Sequence, residues 1–194
     1  PGYGHEAGEA LALHMEVDAV GFTGSTRVGR KMLEYAGRSN LKRVYNELGG
    51  KSAFIVFDDV KDLEKAARTA AACVFFNQGE SCNAPTRVLV HESLMDDALA
   101  CMQQEAGGWQ AGDPLDERTR LGAMVDEGQL HTVLRYVDQG LGEGATLAHG
   151  GRQTRADTGG HYVEPTILSN AHNGMKVARE EIFGPVLTLI PFRT

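Results

Sequence analysis

The sequence has little of what marks secreted, membrane or nucleic-acid-binding proteins. Three cysteines in 194 residues are an odd number and a poor disulfide framework, so a reducing cytoplasm is the expected compartment. No Lys/Arg run exceeds a pair and the net charge is −7, which disfavours nucleic acid or an anionic membrane as a partner. No apolar run could span a bilayer, and neither an initiator Met nor a signal-peptide pattern is present. We expect an internal piece of a longer cytoplasmic polypeptide.

What the sequence does contain is an alternation of helix-like and strand-like segments. Hydrophobic residues make up 42%, enough for a packed core in one medium domain or in parts of two. Apolar periodicity predicts helices at 6–14, 28–37, 63–76, 94–106 and 129–137, with a short one at 178–182. It predicts strands at 19–22, 41–45, 53–57, 86–91, 162–168 and 186–191. The polar, Gly-rich stretch 140–160 is predicted to be a surface excursion, and the whole to be a mainly parallel α/β sheet.

Cys82 is the first residue whose position suggests catalytic chemistry. It follows a predicted helix and the helix-stopping residues 77–79, so we expect it in a turn that a substrate can reach. A thiolate there is a good nucleophile towards carbonyl carbon. The alternative is a small packed hydrophobe, which is the more frequent fate of a lone cysteine. Cys73 and Cys101 lie among apolar residues of predicted helices, and we expect both in the core.

Two further segments carry weaker signals. Residues 23–29 (TGSTRVG) lead from a strand into a helix, and Ser25 there either helps hold a phosphate or simply caps the helix. The glycine spacing matches neither the dinucleotide fingerprint nor a Walker A loop. Glu47 precedes a pair of glycines at a predicted strand end, where a carboxylate acts as a general base or is merely solvated. Local pattern alone leaves each of these alternatives open.

Taken together, these segments resemble the aldehyde dehydrogenase superfamily. The matching motifs, in the family's order and with family-like gaps, are 22–29 (FTGSTRVG), 47–51 (ELGGK), 76–82 (FNQGESC), 86–87 (TR) and 180–186 (EEIFGPV). The resemblance spans essentially the whole chain and is nearest to enzymes of γ-glutamylamino and ω-amino aldehydes. It implies a partial three-layer, parallel-sheet catalytic domain preceded by the tail of a Rossmann-like cofactor domain. The implied boundaries are 1–47 for the cofactor domain and 48–194 for the catalytic domain, truncated at its C-terminal side.

The resemblance also implies roles. Cys82 matches the nucleophile that forms a thiohemiacetal and then a thioester, and Glu47 matches the base that activates the hydrolytic water. Because relatives that transfer the acyl group to coenzyme A usually lack this glutamate, Glu47 favours a free carboxylate as the product. Glu80 stands where many relatives carry Gln. The cofactor is implied to be NAD or NADP, with no metal, and the residues matching cofactor contacts are Gly24, Ser25, Gly29, Leu48, Gly49, Glu181 and Phe183.

Family members are more than twice this length, so the resemblance implies a longer parent enzyme. The parent enzyme is implied to be a homo-oligomer, a dimer or a tetramer, acting on a small aldehyde. The fragment itself is expected to have little or no activity, because part of the cofactor cleft and one oxyanion donor lie outside it. The alternatives are a folded, non-catalytic fragment that self-associates, and a thiol hydrolase pairing Cys82 with a histidine.

Overall fold

The computed structural model describes residues 1–193, which form two compact units, one of Pro1–Gly49 and one beginning at Gly50. The helices are α1 (Glu9–Leu13), α2 (Thr26–Arg38), α3 (Leu63–Phe75), α4 (Met95–Gly107), α5 (Glu127–Gly142) and α6 (Lys176–Arg179). The strands are β1 (Ala19–Thr23), β2 (Arg43–Glu47), β3 (Ala53–Val56), β4 (Arg87–His91), β5 (Thr146–His149), β6 (Gln153–Thr154), β7 (Tyr162–Val163), β8 (Thr166–Ser169) and β9 (Val186–Phe192). No helix in this described part of the chain is long and apolar enough to cross a membrane.

The first unit, Pro1–Gly49, packs two helices on one face of a two-stranded sheet. Strands β1 and β2 run parallel, and a helical turn at Gly4–Gly8 leads into α1. The buried residues are Ala12, Met32 and Tyr35, against which half-buried strand residues such as Val20 and Phe22 pack. Because side chains alternate between the faces of a strand, the opposite face of the sheet is exposed.

The second unit, from Gly50 onward, is a sheet covered on both faces. Its strand order is β3-β4-β9-β8-β5, parallel except for β5, which pairs antiparallel with β8. Alternate residues of β9 face opposite ways, with Leu187 and Leu189 in the core under α3 and α4 and Val186 and Ile190 in the core under α5 and α6. This helix–sheet–helix arrangement confirms the predicted α/β class with a mostly parallel sheet.

Three local predictions are wrong. The stretch 140–160 is not a surface excursion, because α5 runs on to Gly142 and β5 follows it as an edge strand of the main sheet. The predicted strand at 162–168 is divided at Glu164-Pro165 into β7, which pairs with β6, and β8, which joins the main sheet. The strand predicted from position 41 begins at Arg43, because Leu41 takes a left-handed conformation, φ 59°, just after α2.

The prediction of a buried Cys73 is also wrong. Helix α3 buries the positions that share one helical face, and Cys73 lies off that face and is exposed. The buried face consists of Ala67, Ala70, Ala71, Val74 and Phe75. Cys101 packs against the same core with part of its side chain still accessible.

Candidate active site

Within the second unit, three of the predicted motifs meet. The Gly50 amide donates a hydrogen bond to Oε1 of Glu181 at 3.1 Å. A Cβ on Gly50 would lie 2.5 Å from the carbonyl oxygen of Cys82, so this glycine is packed directly on the backbone of Cys82. A Cβ on Gly79 would overlap the carbonyl of Gly184. The fold therefore brings together segments from positions near 50, 80 and 182, which no local sequence pattern connects.

Cys82 is displayed by an unusual turn, which we call the thiol turn, residues 77–82. Asn77, Gln78 and Gly79 are all left-handed, with φ of 50°, 57° and 71°. For residues with a Cβ this conformation costs about 1–2 kcal/mol each, so surrounding contacts must maintain it. One such contact is internal, from Nδ2 of Asn77 to the Glu80 carbonyl at 2.9 Å. The turn ends α3 and leaves the Cys82 thiol exposed, as the sequence predicts.

The segment carrying Glu181 and Phe183 is fixed by α5. Nε2 of Gln129 donates to the carbonyls of Ile182 and Phe183 at 2.9 and 2.7 Å, and Phe183 itself is left-handed with φ 57°. The Tyr136 hydroxyl donates to Glu180 at 2.7 Å; burial first, and then this hydrogen bond, raise the pKa of Tyr136 to about 12. Neither side chain is among the residues predicted from the sequence. The signal for them is a polar pair two helical turns apart on α5.

Lys51, the last residue of the second motif, is buried without a hydrogen-bond partner for its amine among residues 1–193. Burial, with a smaller effect from the nearby Arg87 charge, lowers its pKa to about 8. Arg87 also donates through Nε to the Lys51 carbonyl at 3.1 Å. The Thr86-Arg87 motif thus anchors the start of β3 to β4.

The first unit brings together most of its own predicted residues. Thr23 at the end of β1 is in register with Glu47 at the end of β2, and the Gly24 amide donates to the Glu47 carbonyl at 3.1 Å. Ser25 caps α2, its hydroxyl accepting from the Val28 amide at 3.3 Å. A Cβ on Gly29 would lie 2.5 Å from the Leu48 side chain. Parallel strands therefore place Glu47 and this turn at one edge of the sheet, with Ser25, Glu47 and Gly49 exposed.

Each unit has a groove near its motif residues. In the first unit a groove of about 480 Å³ is bounded by Gly4, Gly8, Val28 and Met32, among others. In the second unit a groove of about 540 Å³ lies beside the thiol turn. That groove is lined by Thr69, Ala72, Cys73, Phe76, Ser81, Asn83, Ala84, Pro85 and Trp109, and none of these residues is acidic. Residues 1–193 contain no group of three or more His, Cys, Asp or Glu side chains suited to a metal ion.

The second unit is an α/β protein with an exposed thiol in a strained turn beside the parallel strands, which is an arrangement suited to a nucleophilic cysteine. The aldehyde dehydrogenase family model matches residues 1–194, and the chain belongs to that family. The family-level prediction from the motifs is therefore confirmed.

Individual relatives support the same placement. An indole-3-acetaldehyde dehydrogenase from P. syringae, solved with NAD+, is 52% identical over the whole chain with a TM-score of 0.98, and the chain covers 39% of it. A γ-glutamyl-γ-aminobutyraldehyde dehydrogenase from Burkholderia cenocepacia is 47% identical with a TM-score of 0.95, over 98% of this chain and 38% of that one. The NADP/NAD-dependent aldehyde dehydrogenase PuuC of Escherichia coli is 46% identical over 191 residues, which are 98% of this chain and 38% of PuuC. The chain thus spans well under half the length of the relatives it matches.

Proposed function

We propose that this chain supplies the nucleophile and the general base of an NAD(P)-dependent aldehyde dehydrogenase that converts an aldehyde to a carboxylate. The observation that carries the proposal is the meeting of the Gly50, Cys82 and Glu181 segments in the second unit. In this proposal residues 1–47 are the tail of the cofactor domain and the rest belongs to the catalytic domain. The parent enzyme would be a cytoplasmic homo-oligomer.

Cys82 performs the covalent chemistry in this proposal. Its thiolate attacks the aldehyde carbon to form a tetrahedral thiohemiacetal, and loss of hydride from that carbon leaves a thioester. The proposed cofactor, NAD(P)+, accepts the hydride when it is bound. The Cys82 backbone N–H is available to hold the developing oxyanion. The exposed thiol in a fixed turn supports this role, since a nucleophile must be reachable and held in place.

Glu47 acts as the base. It removes a proton from the water that attacks the thioester carbon, which releases a carboxylic acid and restores the Cys82 thiolate. Its exposed position at a strand end supports this assignment, since the side chain is neither in the core nor engaged in an ion pair within its own unit. Leu48 packs on Gly29 and so fixes the backbone next to the base.

The residues present fit a dinucleotide. Oε1 of Glu181 accepts the Gly50 amide, which leaves Oε2 to accept from a ribose hydroxyl, and the half-exposed Phe183 ring lies two residues away. In the first unit, Ser25 at the start of α2 suits a phosphate, and the groove between Gly8 and Val28 suits a flat apolar base. In this proposal the dinucleotide approaches the backbone closely at four residues, which are Gly24, Gly29, Leu48 and Gly49.

The groove beside the thiol turn is proposed to hold the tail of the aldehyde. Phe76 and Trp109 contribute apolar surface, while no carboxylate lines the groove to pair with a cationic tail. We therefore favour aldehydes with an apolar or aromatic tail over free ω-amino aldehydes. The indole-3-acetaldehyde dehydrogenase among the relatives acts on an aldehyde of this kind.

The test is a hybrid in which this chain replaces the matching segment of the E. coli relative. The hybrid is expected to form NADH from an aldehyde, and the isolated chain to form little or none. Cys82→Ser is expected to abolish turnover, whereas the control Cys101→Ser, on α4 and outside the groove, retains it. Glu47→Gln is expected to accumulate an acyl-enzyme visible by mass spectrometry. Normal turnover by the Cys82→Ser hybrid, or no acyl-enzyme in the Glu47→Gln hybrid, would count against the assignments.

A second candidate function, a folded non-catalytic module that self-associates, is favoured by the large apolar side chains that are well exposed. They include Leu41, Leu115, Met15, Tyr45 and Phe76. Light scattering at rising concentration tests it, and a monomer at all concentrations would contradict it. The thiol hydrolase alternative has less support, because no histidine lines the groove beside Cys82.

A further inference from the structure

We propose that Glu80 is a positioning residue, whose carboxylate ties the thiol turn to the backbone that leads into α5 and so fixes how Cys82 is presented. The relevant backbone is residues 121–126, which we call the brace segment. This structural role of Glu80 goes beyond the proposed function. Only its importance for catalysis rests on that function. The physical content of the role is a set of hydrogen bonds that exist whether or not the chain turns over a substrate.

Two side chains of the thiol turn accept hydrogen bonds from the brace segment. Oε1 of Gln78 accepts a hydrogen bond from the Gly122 amide at 3.1 Å. Oε1 of Glu80 accepts one from the Val125 amide at 3.1 Å. The two bonds are two residues apart on the thiol turn and three residues apart on the brace segment, so they fix both the position and the orientation of one segment against the other.

The brace segment is itself held by side chains that enter both cores of the second unit. Leu121 is fully buried in the core under α3 and α4, while Met124 is buried in the core under α5 and α6. The Met124 amide also donates to the His161 carbonyl at 2.8 Å, and Asp126 caps α5 through the Gln129 amide. The brace segment is therefore a fixed anchor, and it should not move when the thiol turn moves. The Val125 side chain is exposed, so only its backbone takes part.

Glu80 maintains this contact at a cost. Burial, with a smaller contribution from the Asp126 charge, raises the pKa of Glu80, and the Val125 hydrogen bond only partly opposes the shift. A glutamate that is kept partly buried against a like charge needs a compensating contact. The hydrogen bond to the brace segment is that contact. Glutamine in its place would keep the accepting oxygen without the charge.

The experiment uses three variants of the chain as it stands. Glu80→Ala removes the acceptor, Glu80→Gln keeps it, and Glu117→Ala removes an exposed glutamate as the matched control. Amide hydrogen exchange is measured for residues 77–82 and 122–125. Glu80→Ala is expected to speed exchange at these amides by about five- to tenfold, as the loss of one hydrogen bond to a charged group implies. Glu80→Gln and Glu117→Ala are expected to stay within about twofold of the original chain.

A second readout separates positioning of the thiol from a general loss of stability. Cys82 is exposed and Cys101, which lies outside the groove beside the thiol turn, is partly accessible. The ratio of their labelling rates with iodoacetamide therefore reports on the thiol turn against an internal reference. The ratio is expected to change in Glu80→Ala and to return to its original value in Glu80→Gln. An unchanged exchange rate and ratio in Glu80→Ala would overturn the proposal, as would a failure of Glu80→Gln to restore them. Neither readout needs aldehyde or cofactor, so a failed proposed function would leave this result intact.

Discussion

The two units bury their sheets to very different extents. In the first unit β1 and β2 alternate between exposed and half-buried residues and contain no fully buried side chain. In the second unit β8 is buried at every position and β9 from Val186 to Ile190. Since buried apolar area is the main favourable contribution to folding, the second unit contains most of the stabilising core. The first unit should open at a lower free energy than the second.

The largest expected effect comes from emptying the larger core. Leu189→Ala, at a fully buried position on β9, should lower the free energy of unfolding by about 3–4 kcal/mol. Val20→Ala, in the half-buried face of β1, should cost about 1 kcal/mol. Urea unfolding followed by Trp109 fluorescence measures the loss from Leu189→Ala, because Trp109 is the single tryptophan and lies in the second unit. Hydrogen exchange at the amides of β1 and β2 measures the loss from Val20→Ala in the first unit. Similar losses from both substitutions would break the contrast between the units.

Next in size is a substitution at the motif contact inside the second unit. Gly79→Ala adds a Cβ that overlaps the Gly184 carbonyl at a residue with φ 71°, and should cost about 3 kcal/mol. Gly37→Ala in α2, where an added Cβ meets nothing, should instead stabilise the first unit by up to about 1 kcal/mol. Thermal unfolding by circular dichroism distinguishes the two. A neutral Gly79→Ala would mean that the contact with Gly184 is not rigid.

Two lysines with buried amines should have opposite effects on the free energy of unfolding when methionine replaces them. In the first unit the Lys42 amine donates to the Ala12 carbonyl at 2.6 Å and to the Ser39 hydroxyl at 2.8 Å, so Lys42→Met should destabilise by about 2 kcal/mol. In the second unit the Lys51 amine has no partner within residues 1–193, so Lys51→Met should stabilise at pH 7 by about 2 kcal/mol.

The gain from Lys51→Met should depend on pH. Folding lowers the pKa of Lys51 from 10.5 to about 8, so between these values the unfolded chain binds more protons and stability rises with pH. The advantage of the methionine is therefore full below pH 8 and fades towards pH 10.5. Urea unfolding at both ends of that window measures it, with the exposed Lys61→Met as control. A gain that is independent of pH would rule out the charge as its cause.

The smallest effects are expected at the helix caps. Ser25→Ala removes the cap of α2 in the first unit, and Asp126→Ala removes the cap of α5 in the second. Each should cost about 1 kcal/mol. Hydrogen exchange should show the Ser25→Ala loss confined to α2, while Asp126→Ala also loosens the thiol turn through the brace segment. If Asp126→Ala leaves exchange at residues 77–82 unchanged, the brace segment does not depend on its cap.

Periodicity predicted α2, α3 and α5 because each has an apolar face that a local window can detect. It failed for β5, whose residues are mostly exposed or half-buried and which becomes a strand only by pairing with β8. It also failed for Cys73, since apolar neighbours in sequence do not indicate which helical face a residue occupies. The motifs identified Cys82 and Glu181, but not the hydrogen bond that ties Gly50 to Glu181 across the sequence. Hydrogen bonds between residues so far apart in the sequence form only when the sheet has folded, so no local sequence pattern indicates them.

The three left-handed residues before Cys82 affect how this thiol could be transplanted. Its location depends on backbone that Gly184 blocks on one side and the Gly122 and Val125 amides hold on the other. A short peptide copied from residues 76–82 into another scaffold would relax, and its cysteine would behave as an ordinary surface thiol. The smallest portable unit is therefore discontinuous. A protein engineer who wants this cysteine must graft the turn together with both of its distant supports.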